Sequence, residues 1–69
     1  MKPEDKARVT IDKKLIESGW TIQDVKSINL SASLGIAVRE FPTSTGPVDY
    51  ALFLEGIPVG VIEAKKSEL

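Results

Sequence analysis

The 69 residues carry nine basic against ten acidic side chains, a formal charge of -1, and neither cysteine nor histidine. Disulfides and a Cys/His zinc site, the usual supports of a stand-alone fold this small, are thereby excluded, and the chain reads as a piece of a larger domain. Near-neutral charge gives no global attraction to nucleic acid, no apolar run approaches a membrane span, and the charged start Met1-Lys2-Pro3-Glu4-Asp5-Lys6 lacks a signal-peptide core, so a soluble, cytoplasmic protein is expected.

Residues from about 3 to 18 predict a helix, because Ala7, Ile11 and Leu15 recur every four positions with Ile16 beside them. Pro3 suits the first turn, Glu4 and Asp5 sit at the positive end of the helix dipole, and Gly19 stops the helix so that Trp20 can fold back on the last turn. From Thr21 to Ser33 the apolar residues follow neither the helical nor the strand period, which predicts a loop with at most a short helical turn. Strands are predicted over about 34–41, 48–54 and 57–65, the first two separated by Pro42-Thr43-Ser44-Thr45-Gly46-Pro47 and the last two by a tight turn at Glu55-Gly56. Tyr50 and Phe53 read as core residues of the middle strand, whose two faces are both apolar. The expected architecture is α/β, an N-terminal helix packed on a three-stranded sheet, mixed or antiparallel, containing a β-hairpin. Its exposed sheet edge should favour self-association.

Three charged residues interrupt the apolar hairpin: Asp49 near the start of one strand, Glu63 and Lys65 near the end of the next. Glu63 and Lys65 are two apart and leave the same face of a strand. A plain two-residue loop would set Asp49 opposite Ile62, with Glu63 on the other side of the sheet. One extra residue, either in a loop Glu55-Gly56-Ile57 or in a bulge at Gly60, pairs Asp49 with Glu63 instead. Two facing carboxylates repel, and a divalent cation resolves the conflict. Hard oxygen donors favour Mg²⁺, with Mn²⁺ as its substitute, and the carbonyl of Ala64 would add a third oxygen. Such an ion polarises a phosphate oxygen and activates a water, while Lys65 would orient or deprotonate that water or offset charge on the phosphate.

Asp49 followed by Glu63-Ala64-Lys65 resembles the PD-(D/E)-x-K nuclease motif, with Pro47-Val48-Asp49 in place of a strict Pro-Asp pair. The stretch Glu4 to Trp20 is similar to the opening helix of type I restriction enzyme R (motor) subunits, and residues 46–53 and 58–65 resemble the nuclease strands of the same family. The resemblance implies a partial N-terminal nuclease domain with a restriction-endonuclease-like fold. It further implies Mg²⁺-dependent hydrolysis of double-stranded, unmodified foreign DNA, in a complex with methylation and specificity subunits. ATP would be used only elsewhere in the parent subunit, since no phosphate-binding Gly-Lys-Ser/Thr loop occurs here. It also nominates Glu4, with Asp5 as substitute, as an additional acid on the first helix, and it makes independent cleavage by these residues alone doubtful, because the family's nuclease domain continues beyond the lysine. The rivals are a non-catalytic interaction module with a decayed or truncated nuclease fold, and a resolvase or repair nuclease of the same superfamily. The plainest reading of Asp49, Glu63 and Lys65 by themselves is a solvated strand end. Glu40 and Arg39, closing the first predicted strand, are placed to approach the metal or a phosphate, but their plainest reading is solvated too.

Overall fold

A computed structural model describes the backbone of residues 3–63 and the side chains of residues 6–63. Helix α1 (Pro3–Glu17) is followed by β1 (Thr21–Asp24), a short 3-10 turn (Val25–Ser27), β2 (Gly35–Phe41), β3 (Val48–Leu54) and β4 (Ile57–Ile62). The sheet has the order β1-β2-β3-β4, with β1 parallel to β2 and the remaining pairs antiparallel. The architecture is α/β as expected and the sheet is mixed, one of the two arrangements expected, but it has four strands where three were predicted.

The added strand is β1, which lies within the segment read as a loop. Its four residues are too few to display a period, and its partner β2 lies beyond a ten-residue connection, so only the long-range pairing Thr21–Ile36 through Asp24–Arg39 defines it. Gln23 then clamps that connection. Its amide donates to the Asn29 carbonyl and accepts from the Asn29 N–H, both at 2.9 Å.

Helix α1 ends as its glycine dictates. Gly19 adopts φ 94°, and the Trp20 N–H donates back to the Leu15 carbonyl at 2.9 Å, the reversal that satisfies the last carbonyls of a helix. Trp20 thereby packs beside Leu15, Ala37 and Tyr50, joined by Ile11, Ile22, Leu52 and Ile62. Ile16, expected next to the apolar stripe, is instead exposed. The other face of the sheet holds Ile36, Val38, Ala51 and Phe53, capped by Val25 and Leu30 from the β1–β2 connection and by Phe41, whose ring meets Phe53 edge-on at 5.5 Å. Ile36, Ala37 and Val38 are fully buried because β2 is covered on both faces.

The hairpin closes through Glu55-Gly56, both residues at positive φ (51° and 79°), so Leu54 pairs with Ile57. Two pairs later the register shifts: Phe53 opposes Pro58 but Leu52 opposes Gly60, leaving Val59 as a one-residue bulge. The consequence is that Ile62 lies opposite Tyr50 and joins the helix-facing cluster. Among the described residues nothing pairs with the outer edge of β4, which exposes Ile57, Val59 and Val61.

Candidate active-site hairpin and its ion network

Of the two devices considered for the hairpin, the bulge is the one present, at Val59 and not at Gly60. The β3–β4 ladder ends at Tyr50–Ile62, so Asp49 and the exposed Glu63 are the residues that follow its last pair, and they are not themselves paired. Ala64 and Lys65 lie outside the described residues, as do the side chains of Glu4 and Asp5, whose backbone forms the first turn of α1. Among the described residues, no three carboxylates, histidines or cysteines are grouped to hold a metal ion.

On its other side Asp49 meets β2. Between the pairs Arg39–Tyr50 and Phe41–Val48, Glu40 falls opposite Asp49. Simple alternation from Val38 and Ala51 would turn both carboxylates away from α1. Glu40, however, takes a left-handed φ of 55°, and beyond it the faces exchange: Phe41 and Val48 pack with Val38 and Phe53, while Glu40 and Asp49 both reach α1. Val48 is thus separated from Tyr50 and Leu52, with which an unbroken alternation would group it.

What Glu40 and Asp49 reach is the guanidinium of Arg8. One terminal nitrogen binds Glu40 Oε1 at 2.5 Å and the other binds Asp49 Oδ1, so a single planar fork spans two facing carboxylates. The bond to Asp49 is the largest influence holding the Arg8 proton more firmly than usual, ahead of the opposing effect of burial and the contribution of Glu40. One turn along α1, Asp12 accepts the phenol proton of Tyr50 at 2.6 Å and pairs with Arg39 at 3.4 Å. Burial first, and the bond to Asp12 second, push the Tyr50 phenol well above its ordinary value. Arg39 and Glu40 are therefore partners in a network rather than isolated surface charges.

Arg8, Asp12 and Glu40 were not among the predicted site residues. A signal for the first two lies in the sequence: with Ile11 and Leu15 they occupy positions i, i+3, i+4 and i+7 of one helical face, so charges occupy the face that packs on the sheet. Nothing comparable marks Glu40, whose orientation depends on a left-handed backbone.

A shallow cleft of about 210 Å³, lined by Ser18, Gly19, Trp20, Leu34, Gly35 and Leu54, lies at the opposite end of the β2–β3 ladder from Asp49. Among the described residues, no helix is long and apolar enough to cross a membrane.

Neither a curated protein nor a solved structure matches the chain. A family model does: the type I restriction enzyme EcoKI endonuclease subunit second domain matches residues 17–69, from the last residue of α1 through the whole sheet. Because that match covers well over half of the sequence and includes both hairpin strands with Asp49 and Glu63, the chain belongs to this family of type I restriction endonuclease subunit domains.

Proposed function

We propose that this domain supplies the DNA-cutting site of a type I restriction enzyme, with a PD-(D/E)-x-K fold and a divalent cation, Mg²⁺ or Mn²⁺, held by Asp49, Glu63 and the Ala64 carbonyl. The observation that carries the reading is the bulge at Val59, which sets Ile62 across from Tyr50 and so brings the next residue on each strand, Glu63 and Asp49, to the same level of the hairpin. The donors suit the ion. They are hard oxygens, with no thiolate or imidazole to favour a softer metal, and the seating of a guanidinium on Asp49 is in keeping with a position built for positive charge. When bound, the cation supplies Lewis-acid polarisation of the scissile phosphate.

The chain's own residues do the rest. Asp49 and Glu63 would hold the cation, Lys65 would orient or deprotonate the attacking water or offset charge on the phosphate, and Glu4 would add an acid. The substrate is double-stranded foreign DNA lacking the protective modification. Methylation and specificity subunits are the partners, ATP is consumed in another part of the parent subunit, and the setting is the cytoplasm.

A non-catalytic docking module is the second reading, favoured by one observation: Asp49 is already engaged by Arg8. A resolvase or repair nuclease would share the carboxylates but prefer junctions or damaged duplex to intact linear DNA. The test is cleavage by the complete endonuclease subunit, assembled with its partner subunits, carrying Asp49→Ala, Glu63→Ala or Lys65→Ala. Each is expected to lower DNA cutting by at least roughly 100-fold while ATP hydrolysis persists. Undiminished cutting in all three would leave the docking reading.

A further inference from the structure

We infer that Arg8 is an autoinhibitory latch, its guanidinium occupying the cation position on Asp49 until a divalent ion displaces it. The inference rests on the metal-dependent reading above. Its geometry is independent of that reading.

Glu40 and Asp49 face one another across the β2–β3 ladder, an arrangement of like charges that neighbouring strands ordinarily avoid. The left-handed turn at Glu40 directs its carboxylate toward α1 beside that of Asp49. A fork with two terminal nitrogens then neutralises both. The two bonds differ in setting. Asp49 is the more enclosed partner, its side chain 20% exposed against 49% for Glu40. An entering cation that claims Asp49 therefore leaves Arg8 a solvated carboxylate to retain, so the guanidinium can shift onto Glu40 without being stranded. Glu40 is the resting partner of the latch, and Arg8 acts on the site through Asp49 as a positioning residue.

Arg39 provides an internal comparison. It carries the same charge in the same network, yet its partner is Asp12 and not Asp49. If Arg8 acts by occupying Asp49, removing Arg8 matters and removing Arg39 does not.

The test is a Mn²⁺ titration by calorimetry on this chain and on Arg8→Met, Arg8→Lys, Arg39→Met and Asp49→Asn, with circular dichroism as the check on folding. Methionine keeps the apolar stem that covers the helix–sheet seam. Lysine keeps the charge but loses the fork, and serves if the methionine variant does not fold. Arg8→Met is expected to bind Mn²⁺ roughly tenfold more tightly, Arg8→Lys about threefold, and Arg39→Met within about twofold of the unsubstituted chain. Asp49→Asn is expected to lose binding. Equal tightening in Arg8→Met and Arg39→Met, with none in Arg8→Lys, would reduce the effect to general field and overturn the latch. Asp49-dependent binding that is indifferent to Arg8 would also overturn it and leave the metal reading standing. No binding by any of the chains would remove the metal reading and the latch together.

Discussion

The guanidinium of Arg8 and the carboxylate of Asp49, 41 positions apart in the chain, are joined in an ion pair across the seam between α1 and the sheet. The pair ties the residue nominated for chemistry to a helix whose first 14 described residues, Pro3 to Ile16, precede the family match. It also connects the site to the hydrophobic core, because the Tyr50 phenol oxygen lies 3.1 Å from the Arg8 carbonyl and donates its proton to Asp12.

Tyr50→Phe should lower stability by about 1–2 kcal/mol, since the ring packing is kept and one hydrogen bond to a charged acceptor is lost. The same substitution should flatten the alkaline limb of the stability curve. The Tyr50 phenol holds its proton in the folded chain at pH values where the unfolded chain, near its ordinary 10.0, releases it. The folded state then binds more protons, and stability falls as pH rises beyond about 10. Urea midpoints measured between about pH 9 and 11 should drop more steeply for the unsubstituted chain than for Tyr50→Phe; parallel slopes would dissociate Tyr50 from the effect.

Gly35→Ala should be destabilising by roughly 1–3 kcal/mol, the range for overpacking a close contact. A Cβ at Gly35 would stand 3.0 Å from Trp20 Cε3, and the ring is held by the helix end that Gly19 forms. Thermal unfolding followed by Trp20 fluorescence reads the cost directly. An unchanged midpoint would mean that Trp20 shifts freely on the sheet.

Glu55→Asn should stabilise the hairpin by about 0.5–1 kcal/mol, because Glu55 adopts φ 51° and Asn-Gly is the favoured pair where both turn residues are left-handed. The Glu55 N–H that donates to the Leu34 carbonyl is retained. A lower denaturation midpoint would show that the Glu55 side chain has a stabilising role outweighing its backbone strain.

Val59→Lys should reduce self-association. The outer edge of β4 has no strand beside it among the described residues, and Val59 is 56% exposed next to Ile57 and Val61. Light scattering over a concentration series should show mass above the monomer, lowered by the lysine, which blunts an edge by charge. A strict monomer at every concentration would remove the edge as an association surface.

What the sequence by itself determined was everything governed by local chemistry. Gly19 and Trp20 announce the end of α1, Glu55-Gly56 announces the hairpin turn, and the apolar alternation of β2 and β3 announces two central strands. The family resemblance was legible for a similar reason, since the hairpin motif and its flanks are contiguous stretches, and the family match over residues 17–69 agrees with it. Tertiary structure decided what rests on pairing between distant segments. Strand β1 exists because β2 accepts it, and the register of β4 depends on whether an extra residue enters the hairpin at all, a choice that local sequence leaves open and that decides whether Ile62 or Val61 lies across from Tyr50. The partners of Asp49 were likewise hidden. A left-handed residue at Glu40 exchanges the faces of the β2–β3 end, and alternation, which assumes an unbroken pleat, cannot anticipate the point at which the pleat is broken.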